Sequence, residues 1–211
     1  MTQILLNHVV SGTAKSTDLQ TGYIKTLAKG GASTTNTLSM YVDLTSGVKL
    51  NGVAKVTTAD VMASNGIIHV VDAVIGLPTI VTHATANPNF STLATLLTTQ
   101  NLISTLSSSA TPSPFTVFAP LNSAFDTATT SLYGGLTSTQ KTAVLTYHVI
   151  GRANVLSTGI PASSPTLETG ILRFSGATIT DEQARVTNIV LTDVQCSNGI
   201  IHAVNKVLLP T

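Results

Sequence analysis

An α+β fold carrying a domain-sized internal repeat is what this sequence predicts, on three observations. The stretch from Asn198-Gly-Ile-Ile-His202 to Pro210 has an earlier copy, Asn65-Gly-Ile-Ile-His69 running on to Pro78, and the two histidines stand 133 residues apart. A period of that size means two units of one architecture. Upstream, Ile4-Leu5-Leu6-Asn7-His8-Val9-Val10 aligns with Val144-Leu145-Thr146-Tyr147-His148-Val149-Ile150, so each unit puts one histidine at a helix end and another in its last strand. Finally, the later unit reads as several short helices followed by a run of strands, an α+β order and not the alternation of a parallel sheet.

Taken in order, the first unit starts at Met1 opposite Lys141 of the second, which leaves the cap and first turn of that helix without counterparts. Residues 1–78 are therefore expected to be the C-terminal half of a repeat, from a chain cut out of a longer one or given a misassigned start. Thr79 to Asn87 reads as a short linker, and 88–211 as a complete unit. There Asn89 is expected to cap an amphipathic helix bearing Phe90, Leu93, Leu96 and Leu97. A second short helix carries Leu102, Ile103 and Leu106. Prolines and serines at Thr111–Pro114 and Ser163–Pro165 mark loops.

Phe115 to Pro120 is a strand by its aromatic and β-branched content, stopped by Pro, and Asn122 to Phe125 a capped helical turn. Thr137-Ser-Thr-Gln140 is a capping box, in which the Thr and Gln side chains satisfy orphan amides reciprocally. It opens a helix whose inward face carries Leu136, Val144, Leu145 and His148. Strands are expected at 166–167, 171–174, 177–180 and 184–194, punctuated by Gly170, Gly176 and Asn188. The duplicated last strand follows an Asn-Gly turn and is apolar on both faces, which implies burial from both sides.

Composition narrows the function classes. Hydrophobic content of 43% is ample for a core, and charged content of 9% is low, with Thr and Ser filling the surface. Ten Lys and Arg against nine Asp and Glu leave no basic footprint for nucleic acid. No apolar run reaches membrane-spanning length, and no secretory leader pattern opens the chain. A lone cysteine, Cys196, rules out an intrachain disulfide and a thiolate metal cluster.

Four segments together resemble the fasciclin domain, an extracellular adhesion and matrix module. They are Phe90-Ser-Thr-Leu93, Thr116-Val-Phe-Ala-Pro-Leu-Asn-Ser-Ala-Phe125, Tyr147-His148-Val149-Ile150, and Asp193-Val194 followed by Ser197-Asn-Gly-Ile-Ile-His202 and Leu208-Leu209-Pro210. Residues 1–78 match the half of that pattern after the Tyr-His pair, with Asn7 in place of Tyr. The resemblance implies a wedge-shaped β-sandwich with helices along one edge, in tandem. It implies a secreted or surface protein acting in cell–cell, cell–matrix or biofilm contact, with a surface or matrix protein or a glycan as partner. Its structural signature falls on Thr116, Phe118, Pro120, Asn122, Asn198, Gly199, His202, His69 and His8. The elements linked to partner binding in some relatives fall on Tyr147, His148, Asp193 and Val194, with Asp60 and Val61 in the first unit.

The residues themselves support a quieter reading of most of these. Each histidine is expected to be a core imidazole hydrogen-bonded to backbone, since zinc sites need three or four ligands and no acidic cluster lies beside them. Tyr147 is expected to bury its ring and find a partner for its hydroxyl. Asp193 is expected to accept backbone amides ahead of a turn. Cys196 reads as an inert core thiol, and Asp181-Glu182 as an exposed turn pair. No Gly-x-Ser-x-Gly elbow or phosphate loop occurs. These readings point to a non-enzymatic protein without metal or cofactor, with a carbohydrate- or small-ligand-binding module as the alternative. The half repeat, lacking the strand that Thr116–Pro120 supplies in the second unit, is expected to be poorly ordered, to swap strands, or to pair edge to edge.

Overall fold

The computed structural model describes residues 1–211 as two sheets with several short helices. The first unit opens on a single helical turn, α1 (Thr2–Leu6), and continues into a five-stranded antiparallel sheet. Its strands follow chain order: β1 (Gly22–Gly30), β2 (Ser33–Asp43), β3 (Lys49–Leu50), β4 (Ala54–Ala63) and β5 (Gly66–Val71). Met40, Ala54 and Ile75 form a small buried cluster against it. β5 is the last strand of this sheet and has no neighbour on its outer edge.

In the second unit, α2 (Ile80–Ala86), α3 (Ser91–Thr99) and α4 (Ile103–Ser107) precede β6 (Phe115–Pro120). Next come α5 (Thr127–Gly135), α6 (Ser138–Tyr147) and β7 (Val149–Gly151). The chain closes with β8 (Ser163–Pro165), β9 (Ile171–Ser175), β10 (Thr178–Thr180), β11 (Val186–Cys196) and β12 (Gly199–Val204). The sheet order is β7-β6-β12-β11-β10-β9-β8, so β12 lies between β11 and a parallel neighbour, β6, with Ile201 opposite Val117 and His202 opposite Phe118. All six β12 residues are buried, as its two apolar faces require. One face meets the helices, where Phe90, Leu93, Leu97, Phe115, Val117, Leu145, Val149 and Ile201 pack together. The other meets strands β9 and β10, where Phe118, Tyr147, Leu172, Ile179, Val204 and Leu208 form a second cluster.

Several local expectations are corrected. Residues 79–87, read as a linker, form α2: Thr79 accepts the Thr82 amide, and Thr82 accepts that of Thr79 in return. Seven residues are too few to display a period, yet Ile80 and Ala84 lie in the core. Asn89 does not cap α3; Asn87 accepts the Asn89 amide and starts a short 3-10 turn instead. Residues 166–167 are not a strand. The preceding Ser163–Pro165 forms the edge strand, where a proline without an N–H is tolerated.

The first unit is neither detached nor loose. Lys25 Nζ donates to the Asp193 carbonyl at 2.9 Å, and Ser39 Oγ accepts the Gln195 amide at 3.0 Å. Ser197 accepts the Ala32 amide at 2.9 Å and donates its own to Pro78 at 2.7 Å. Tyr23 packs edge-on against the buried His83 ring, centroids 5.3 Å apart, and accepts a hydrogen bond from Asn87. Gly30 is required here, because a Cβ would run into the Ser197 backbone.

Candidate functional site

The candidate residues assemble into one bracket, and the chain contains that bracket twice. At the end of α6, His148 donates from Nδ1 to the Val144 carbonyl at 2.7 Å and accepts the Leu208 amide on Nε2 at 2.9 Å. In the first unit His8 repeats both bonds, to the Ile4 carbonyl at 2.8 Å and from the Ile75 amide at 3.0 Å. The late-strand histidines do the same for a loop. His202 donates to the Val155 carbonyl at 2.9 Å and accepts the Asp193 amide at 3.3 Å. His69 donates to the Ala14 carbonyl at 2.8 Å and accepts the Asp60 amide at 3.4 Å.

The acidic partners are matched too. Asp193 and Asp60 both sit at φ near +61°, at irregularities of β11 and β4, where the displaced backbone turns the carboxylate toward the preceding loop. Asp193 accepts the amide and hydroxyl of Ser157 at 2.8 and 2.5 Å, and Asp60 those of Ser16 at 2.9 and 2.5 Å. The Ser16 hydroxyl and amide hold the Asp60 carboxyl below the usual range. Burial pushes the His148 imidazole down to about 4 and lowers that of His202. Both rings are neutral scaffolding, each with one nitrogen donating and one accepting.

The remaining signature residues lock main chain as well. Thr116 Oγ1 donates to Ala153 and accepts the Val155 amide, both at 2.9 Å. Asn122 accepts the Thr92 amide and donates to the Pro88 carbonyl, joining α3 to the chain after β6, which ends at Pro120. Asn198 ties α2 and α4 together, accepting the Ile80 amide and donating to Leu106 and Ser108. Gly199 has no room for a side chain, since a Cβ would overlap the Phe115 carbonyl. Phe118 stacks on His202 with centroids 5.6 Å apart.

Of the residues singled out for partner binding, Tyr147, His148 and Val194 are buried. Tyr147 donates to the Ile171 carbonyl and accepts the Glu182 amide, and burial raises its hydroxyl to about 12. Asn7, its counterpart, is also buried, and reaches the carbonyls of Ile75 and Gly76 instead. Val61 alone among the six is markedly exposed. Cys196 is buried, with its thiol pushed up by burial.

Two residues depart from expectation, Asp181 in its burial and His83 in lacking a backbone hydrogen bond. Asp181 is not an exposed turn residue: it is 3% accessible, pairs with Arg185 at 2.8 Å and accepts the Leu209 amide. The spacing Asp181-x-x-x-Arg185 was the available signal. His83 lies wholly buried in α2 with neither ring nitrogen bonded, and burial takes it down to about 3.

Burial distinguishes the two brackets. Leu5, Val9, Val61, Ile68 and Val70 are between 42% and 62% exposed: Leu5 stands at 62% and Ile68 at 54%, whereas their counterparts Leu145 and Ile201 stand at 3% and 1%. Between the helices and β6 of the second unit only about 10 Å³ of space remains. In the first unit, where no helical layer or β6 counterpart is present, a cavity of about 440 Å³ opens beside β5. It is lined by aliphatic side chains together with His8 and His69.

A fasciclin domain model matches residues 1–78 and 88–210. The chain is 34% identical over 139 residues to an uncharacterized protein of Synechocystis sp., covering 63% of this chain and 98% of that protein. It is 32% identical over 139 residues to the cell surface glycolipoprotein MPT83 of Mycobacterium tuberculosis, covering 62% of this chain and 60% of the relative. Among solved structures, a FAS1 domain pair from the insect cell adhesion molecule fasciclin I superposes with a TM-score of 0.57 at 20% identity, covering 98% of this chain and 79% of that one. With the fold, the duplicated bracket and a family match over both units in agreement, the chain belongs to the fasciclin domain family.

Proposed function

We propose that this chain is a non-catalytic adhesion module at a cell surface or in the surrounding matrix, binding a surface or matrix protein or a glycan. Family membership supports the class, as does the likeness to a mycobacterial cell surface glycolipoprotein. One observation carries the non-catalytic part. Both nitrogens of His148 and His202 and the carboxylate of Asp193 are bonded to the chain's own backbone and to Ser157, leaving no free general acid, base or nucleophile at the bracket. Recognition then falls to the surface that this bracket holds rigid, strengthened by repetition of the module.

Immobilised chain assayed for cell attachment and on a glycan array tests this reading. Attachment or glycan capture is expected, retained by Tyr147→Phe, whose ring still fills its site. Absence of both, or loss of attachment in a Tyr147→Phe variant of unchanged fold, overturns it. A carbohydrate- or small-ligand-binding module is the second reading, supported by a cavity of about 220 Å³ between α5–α6 and the sandwich, where Gln140, Glu168 and Gln183 stand beside Leu136 and Leu209.

A further inference from the structure

We infer that the contact between the two units is a pH-operated latch: a proton taken up by His83 frees β1 from α2 and opens that contact. His83 sits in α2 with no accessible surface, and neither ring nitrogen has a hydrogen-bond partner. A neutral imidazole can be held that way at the loss of two hydrogen bonds. A buried imidazolium with no acceptor and no counter-charge cannot, and has to reach water. What moves is decided by how α2 is held. Its Thr79–Thr82 capping box, the bond from the Ile80 amide to Asn198 and the burial of Ile80 and Ala84 fix it to the second unit. The ring's other cover belongs to the first unit, where Tyr23 of β1 packs edge-on against it and is itself tilted against Tyr41 of β2.

The groups around the ring offer a charge no partner. β1 brings Tyr23 and Lys25, and β2 brings Tyr41 and the Ser39 carbonyl, which favours the charged form without closing a hydrogen bond. Lys25 is of the same sign and opposes it. On the second unit α3 and α4 carry no titratable side chain, and the one on β12, His202, is committed to Val155 and Asp193. Burial takes His83 from 6.5 down to about 3, so the closed contact resists a proton that the opened one accepts. The ties that have to yield are single bonds to groups that water can replace. They run from Asn87 to the Tyr23 hydroxyl at 3.2 Å, from Lys25 to the Asp193 carbonyl at 2.9 Å and from the Gln195 amide to Ser39 at 3.0 Å. By linkage the contact is fully stable above pH 6.5, and its closed-to-open ratio falls about tenfold per pH unit from there to about 3.

Cys196 reports on the latch. It is the chain's lone thiol, wholly buried on the second unit, with Tyr23 packed against its cluster and Lys25 close enough to act on it. The full chain is labelled with a pyridyl disulfide, which reacts with thiols in acid, at pH 7.0 and pH 4.5. Each rate is divided by that of the urea-unfolded chain at the same pH. The normalised rate should rise by about tenfold to a hundredfold at pH 4.5 while far-ultraviolet circular dichroism is unchanged. His83→Phe, neutral at every pH and similar in shape, should hold the rise below about threefold. His83→Gln takes its place if circular dichroism at pH 7.0 shows that the phenyl ring does not fit. A rate that does not rise, or an equal rise in the variant, overturns the inference. So does labelling that tracks a loss of circular dichroism, which would mean global acid unfolding instead.

Discussion

His148 accepts the backbone amide of Leu208 at 2.9 Å, joining the end of α6 to the segment that follows the last strand. Only an unprotonated Nε2 can do so. The native state therefore holds His148 neutral, at about 4, against an ordinary value of 6.5.

That difference sets an acid sensitivity. Between pH 6.5 and about 4 the unfolded chain binds more protons than the native one, so stability is complete above this window and declines as pH falls through it. The size for His148 is roughly 3 kcal/mol. Buried His83, at about 3, acts with the same sign. The lowered carboxyls of Asp60 and Glu182 lose their contribution only at more acid pH. Urea unfolding at pH 7.5, 5.5 and 4.5 should show the decline, and His148→Gln should be weaker at pH 7.5 but flatter across the series. Parallel slopes for the two proteins would contradict the assignment.

Gly199 and Gly66 occupy the same position of the repeat in opposite surroundings. Gly199→Ala forces the strand away from the Phe115 carbonyl and should cost about 3 kcal/mol or prevent folding. Gly66→Ala meets open space and should change stability by less than about 0.5 kcal/mol. Chemical denaturation of the pair checks this, and equal effects would mean that β5 is already covered.

Cys196 is fully buried beside the helical layer, and its thiol stays protonated far above neutral pH. A thiol reagent should leave the native chain unlabelled for hours at pH 8 and modify it rapidly in urea. Rapid native labelling would place β11 in frequent local opening.

How much of this was legible in the sequence depends on which atoms take part. The repeat, the Asn-Gly turns and both histidine pairs are side-chain features, so they and the strand at Phe115–Pro120 could be read directly. The expectation that Tyr147 and Cys196 serve packing agrees with their burial. The other ends of the histidine bonds are carbonyls of Val144, Val155, Ile4 and Ala14, and main-chain acceptors leave no mark on residue identity. The position of Asp193 points to the turn just after it, whereas its carboxylate reaches Ser157 in a distant loop. α2 is not legible in the sequence because its apolar residues are too few to show a period. The burial of Asp181 is not legible in its neighbours because the Leu209 amide that its carboxylate accepts is brought in by tertiary packing.

Ser197 bonds to both Pro78 and Ala32, so a turn of the larger unit is stitched to the smaller through main chain. Heating the protein should then give a single endotherm, with calorimetric and van't Hoff enthalpies in agreement. The half repeat borrows cooperativity from its complete neighbour and melts with it, whereas two resolved heat peaks would mean that the stitching is thermodynamically idle.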